Sequence, residues 1–145
     1  MKILTSEDNK RTLFIYNMRD LCKENCPENI VSCLIQSSQK VDNDCIKHIV
    51  FSAIDAGVVF FLTWGDRAEY LHDLVDDLIE NTDSDLTHIV TTHHEDEPFE
   101  DVAWLFMRST YFGPDKHRYL AIFQDDEFDR DELIKASLLM AVNSP

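Results

Sequence analysis

Glycine is scarce in this chain, three residues in 145. A backbone that wraps a phosphate needs glycines at fixed spacing, and the sequence holds no G-x-x-x-x-G-K-[ST] loop, no G-x-G-x-x-G turn and no G-x-S-x-G elbow. Nucleotide-binding loops and the serine hydrolase elbow therefore find no support. H-E-x-x-H is missing too. No cysteine follows Cys45, so the pair His93 and Glu95, which fits H-x-E, lacks the P-C-x-x-C that completes a zinc deaminase site. Long apolar runs are also lacking. The longest, from Ala56 to Trp64, falls well short of the ~20 residues that cross a bilayer. The opening MKILTSEDNKRTL turns to acids and Asn too early for the apolar core of a signal peptide, so the expectation is a cytoplasmic chain with no membrane contact.

Cysteine is sparse as well, and confined to the first third. Cys22, Cys26, Cys33 and Cys45 have the spacing C-x3-C-x6-C-x11-C, which is neither a C-x2-C zinc knuckle nor a redox pair. In a reducing compartment the expectation is four free, mostly buried thiols acting as small hydrophobes, with a metal pair at Cys22 and Cys26 as the alternative.

Basic residues are the third shortage. Thirteen Lys and Arg face 28 Asp and Glu, a net charge of −15. The imbalance is uneven: residues 1–65 carry 8 acids and 7 bases, residues 66–145 carry 20 acids and 6 bases. Such a field repels nucleic acid and anionic membranes and steers a basic partner toward the chain. The plainer role of acidity is to keep a small protein soluble.

What is present reads as one α/β domain over 1–145, a length that can bury a single core. TLFIY, residues 12–16, predicts a strand. Pro27 fits the first turn of a helix carrying Ile30, Val31, Leu34 and Ile35. A second helix follows, with Asp44 as N-cap, Ile46, Ile49, Val50, Ala53 and Ile54 on one face and Gly57 as its stop, although its β-branched content leaves a strand open. VVFFLTW, 58–64, is a continuous run of the kind a doubly covered strand shows. Asp66 and Glu69 form a capping box for a helix with Leu71, Leu74, Val75, Leu78 and Ile79 on its inner side. Residues 87–92 predict a strand, 98–109 a helix with Phe99, Val102, Ala103 and Phe106 inward, 117–124 a strand and 131–142 a helix. Alternating strands and helices with short connections imply right-handed crossovers and a three-layer sandwich around a mostly parallel sheet of about four strands.

That architecture directs attention to the carboxyl ends of the strands, where open α/β sheets bind their ligands. Here the ends read Trp64-Gly65-Asp66, His93-His94-Glu95-Asp96-Glu97 and Asp125-Asp126-Glu127, and parallel strands would gather them on one rim. Two functions compete. One is a metal-dependent or phosphoryl-handling enzyme, in which carboxylates and imidazole hold an ion. Against it, the first strand ends in Asn17-Met18-Arg19-Asp20 without an acid pair, and Gln124 stands where a phosphate-neutralising lysine would be needed. The other is a protein that covers the cationic site of a basic partner, a nuclease or tRNase, with carboxylates in place of nucleic-acid phosphates. The residues expected to do so are Asp73, Asp76, Asp77 and Glu80 on one helix, with His94, Glu95, Asp96, Glu97, Asp125, Asp126 and Glu127 on the rim. This second reading is the one adopted: an acidic inhibitor, with no catalytic residues, no metal and no cofactor assigned.

The segment TTHHEDEPFEDVAWLF, 91–106, resembles the T-T-x-H-x-D-E-P-x-E-x-x-x-W-F element of a bacterial family of small α/β proteins without assigned activity. The resemblance implies a bacterial source and an α/β domain, and it carries no catalytic residue; His94 falls on the family's histidine and His93 on a variable position. In size and acidity the chain is also similar to immunity proteins of bacterial toxin systems, including contact-dependent growth inhibition. The other conspicuous residues have plain readings. Trp64 and Trp104 suit packing. Thr91 and Thr92 suit a strand end. Carboxylates beside His72 would raise its proton affinity without implying catalysis. His48 and His88 are expected to be satisfied structural histidines. Glu97 is a candidate N-cap, with Pro98 at the first helical position and Glu100 in the first turn.

Overall fold

A computed structural model of the chain describes residues 1–6, 9–82, 85–108 and 117–124. In chain order the elements are β1 (Lys2–Thr5), β2 (Arg11–Asn17), α1 (Met18–Leu21), β3 (Ser32–Gln36), α2 (Asn43–Asp55), β4 (Phe60–Trp64), α3 (Ala68–Glu80), β5 (Val90–His94), α4 (Phe99–Arg108) and β6 (His117–Phe123). They form one six-stranded sheet in the order β1-β2-β6-β3-β4-β5. Only β1 runs antiparallel, to β2; every other pairing is parallel.

Side-chain alternation along the strands sorts the apolar residues onto two faces. Phe14, Tyr16, Cys33, Ile35, Phe61, Leu120 and Ile122 meet the inner faces of α1, α2 and α3. Leu13, Ile15, Leu34, Leu62, Tyr119, Ala121 and Phe123 meet α4. The layers are therefore helices, sheet and helix, as the alternating pattern implies, but the sheet is wider than expected and mixed. β1 escaped notice because its four residues are mostly exposed and carry no apolar run.

The helix expected after Pro27 is not formed. Ser32–Gln36 is instead a central strand, buried at all five positions. Leu34 and Ile35, which helical spacing would put on one side, point to opposite clusters. Because β3 is covered on both faces it has no polar side to reveal its period. The segment 43–55 is a helix, as preferred, but its N-cap is Asp42, whose carboxylate accepts from the amides of Asp44 and Cys45. The Asp66 capping box is likewise absent: α3 starts at Ala68, and Arg67 caps it without a side-chain bond. The strand expected at 87–92 lies at Val90–His94, a turn from Leu86 to Ile89 taking up the difference. The helix expected at 131–142 lies outside the described residues.

Four free thiols are not what the chain has. Cys22, the C-cap of α1, forms a disulfide with Cys45 in the first turn of α2, while Cys26 and Cys33 are free and buried. The Cys22 and Cys26 metal pair is thereby ruled out, since Cys22 is already bonded. Among the described residues no helix is long and apolar enough to cross a membrane.

Two residues fix the carboxyl end of the sheet. Gly65 follows β4 with φ of 107°, and a Cβ there would lie 2.4 Å from the Ser37 carbonyl oxygen. Only glycine tolerates both conditions. Gln124, just past β6, accepts through Oε1 from the amides of Ser38 and Gln39 at 3.2 and 3.0 Å and donates through Nε2 to the Lys40 carbonyl at 3.1 Å. It ties down the loop between β3 and α2.

Candidate functional site at the β5 edge

The parallel pairings put the carboxyl ends of β4, β5 and β6 on one rim of the sheet. β4 and β5 are neighbours, but β3 stands between β4 and β6, so the end of β6 is separated from the other two. The loop that fills this gap is the neutral Ser37 to Gln39 held by Gln124. Asp125, Asp126 and Glu127 lie outside the described residues. What the fold does bring together is the outer face of α3, the edge strand β5 and the turn into α4.

α3 lies against β5 because its apolar side, led by the buried Leu71 and Val75, covers the sheet there. A polar seam closes the junction. The Thr91 hydroxyl donates to the Asp76 carboxylate at 2.5 Å. His72 sits beside it, with Nδ1 3.2 Å from Asp73 and Nε2 3.2 Å from the Thr91 oxygen. An Asp-His-Thr sequence of contacts resembles a nucleophile triad in outline, but the hydroxyl proton is already directed at Asp76. A general base needs that proton to face the imidazole. Asp73, His72, Thr91 and Asp76 therefore act as a bridge between helix and strand. The His93 ring meets His72 edge-on, centroids 4.8 Å apart, and its Nδ1 lies 2.9 Å from Glu95.

His94 points to the other face, toward α4. It is buried, its Nδ1 bonded to the Glu97 carboxylate and its Nε2 2.9 Å from the Thr92 hydroxyl. The Glu97 carbonyl in turn accepts from the Trp64 indole at 3.1 Å, and Trp64 packs on Phe99. His94 and Glu97 thus secure the strand-to-helix turn, and His94 offers little surface to a partner. α4 begins one residue later than expected, since the Pro98 carbonyl accepts from the amides of Asp101 and Val102.

The remaining expected residues stay on the surface. Asp73, Asp77 and Glu80 are exposed along α3, Asp76 is partly so, and Asp96, Glu97, Glu100 and Asp101 are exposed in the turn and first turn of α4. Glu95 is half-buried against His93. Sequence reasoning had overlooked His93 as a structural contact and Asp85 as a further carboxylate of this edge. Asp85 accepts from the hydroxyl and amide of Thr87, and those bonds hold its carboxyl below the usual range. Of the other histidines, His48 is satisfied at 2.8 Å by the Glu24 carbonyl, whereas His88 is exposed. Trp104 is half exposed beneath Arg108. Among the described residues no group of three or more His, Cys, Asp or Glu side chains is arranged to hold a metal ion.

The family model for a domain of unknown function, DUF7684, matches residues 16–141. The chain belongs to this family. The DUF7684 span starts at the end of β2 and takes in α3, β5 and α4, so the whole described site lies inside it and β1 lies outside. No curated protein and no solved structure matches the chain.

Proposed function

We propose that this DUF7684 chain is an acidic inhibitor of a basic protein, an immunity protein whose partner is a toxin with a cationic active site, most simply a nuclease or tRNase. The observation that carries the reading is the concentration of carboxylates around one sheet edge. Residues 66–108 hold 13 acids and two bases, Arg67 and Arg108. Both bases lie over aromatic rings, Tyr70 and Trp104. The exposed acids of α3 and of the β5-to-α4 turn flank the same edge strand on a scaffold fixed by the His72 and His94 networks.

A nuclease must present lysine and arginine to phosphates, and rigid carboxylates can occupy the same cationic surface. Long-range attraction would make the encounter fast and salt-sensitive. The test is complex formation with the product of the adjacent gene. A basic toxin there should bind, and Asp73→Asn, Asp77→Asn and Asp96→Asn together should slow association by about tenfold at low salt, within the range that electrostatic steering supplies. Absence of a complex, or an association rate indifferent to salt and to these substitutions, would remove the reading.

A further inference from the structure

A groove of about 470 Å³ opens between the C-terminal half of α3 and the segment 85–89 that leads into β5. Its lining divides by chemistry. Ile79 and Ile89 back onto the hydrophobic core and, with the half-buried Leu86, give the groove an apolar side. Asp76, Glu80 and Asp85 give it carboxylates. The complement of such a groove is a cation on a hydrocarbon stem, which buries its methylenes and keeps its charged head among acids.

Lysine and arginine both have that form, but the arrangement of acids favours arginine. Asp76 already accepts from Thr91 through one oxygen and has His72 3.6 Å from the other, whereas Thr87 engages only Oδ1 of Asp85, so the Glu80 carboxylate and Oδ2 of Asp85 are left to meet a cation. They stand on different elements. A planar guanidinium can bond two separate carboxylates from its two edges, whereas an ammonium is a more strongly hydrated point charge. The bonds from Thr87 also keep Asp85 in its anionic form over a wider pH range.

We infer that this groove is an anchor pocket for an arginine side chain, its stem against Ile79, Leu86 and Ile89 and its guanidinium between Glu80 and Asp85. The source of that arginine, a basic protein partner, rests on the inhibitor reading; the chemistry of the pocket does not.

The probe is Nα-acetyl-arginine N-methylamide, titrated into the full chain and followed by methyl NMR, with the citrulline counterpart as a neutral control of nearly the same shape. Saturable shifts at the methyl groups of Ile79, Leu86 and Ile89 are expected from the arginine compound. The citrulline compound should bind at least fivefold more weakly, and so should the arginine compound to the Glu80→Gln, Asp85→Asn double variant. Equal binding of both compounds, shifts that do not saturate, or affinity unchanged in the double variant would overturn the pocket. A toxin complex that forms while the arginine probe fails leaves the inhibitor reading intact and rejects the pocket. A probe that binds while no toxin complex forms does the reverse.

Discussion

At Gly65, backbone dihedral and close packing demand the same residue. Its φ of 107° is unfavourable for an L side chain, and the added methyl of Gly65→Ala would meet the Ser37 carbonyl at 2.4 Å. The two costs fall on one site, and we expect Gly65→Ala to lower unfolding free energy by about 2 to 4 kcal/mol in urea titration. A change under half a kcal/mol would mean that the β3 and β4 ends relax freely. Gln124 is its polar counterpart: truncation to Ala removes the acceptor of the Ser38 and Gln39 amides, which water can partly replace, a loss of about 1 kcal/mol. Neither role was legible beforehand. Gly65 read only as part of a strand end, and Gln124 as a residue standing where phosphate chemistry needs a lysine. Their partners lie in the loop that leaves β3, the strand that helical spacing had disguised. Asp85 carries a pH consequence. Its folded carboxyl is held below the ordinary value, so the stabilisation is present above the unfolded pKa and is lost as pH falls through the folded one. Thr87→Val should move the Asp85 titration, followed by carboxyl NMR, back toward the ordinary range.

At the scale of elements, legibility followed exposure. α3 and α4 each bury one side and present acids on the other, so their period was plain, and the inward residues Leu71, Val75, Phe99, Val102 and Phe106 are buried. β3 is buried at every position and gave no period at all. Spacing could not pair Cys22 with Cys45 either, because the pairing depends on β3 being a strand: that strand carries the chain across the sheet so that α1 and the start of α2 meet, with Cα atoms 4.8 Å apart. The disulfide closes a loop with a sequence separation of 23. In the chain-entropy model a loop of that size contributes about 3 kcal/mol, and the Cys22→Ser, Cys45→Ser double variant should lose stability of that order by thermal or urea melting. Cys33 should behave differently. Burial pushes its thiol well above the ordinary range, so an alkylating reagent at pH 8 should modify it only when the chain unfolds. Labelling of Cys33 at the rate of a free thiol would place it at a surface the fold does not give it.

The whole molecule sets its charge against its stability. A net charge of −15, most of it beyond residue 65, makes the acids of α3 and of the β5-to-α4 turn repel one another across a single edge. Self-repulsion of this kind weakens the compact state, and salt screens it with a Debye length of about 10 Å at 0.1 M. The melting temperature should therefore rise as sodium chloride increases from low concentration to a few tenths molar. The same repulsion separates two explanations of the acidic surface. If these carboxylates serve only solubility, replacing exposed members with amides should raise stability at low salt and cost nothing else while the chain stays negative. If they form the partner surface, the substitutions that stabilise the free protein will be those that slow its association. Asp73→Asn with Asp77→Asn is the informative pair, since both residues are exposed on α3 and neither lines the groove beside Ile79. Asp77 is the cleaner member, because Asp73 also contacts His72. We expect Asp77→Asn to gain a few tenths of a kcal/mol at low salt, the size of a relieved like-charge contact on a helix, and to slow toxin association in the same buffer. A gain in stability with an unchanged association rate would make this face a solubility device and move the search for the partner surface elsewhere on the molecule.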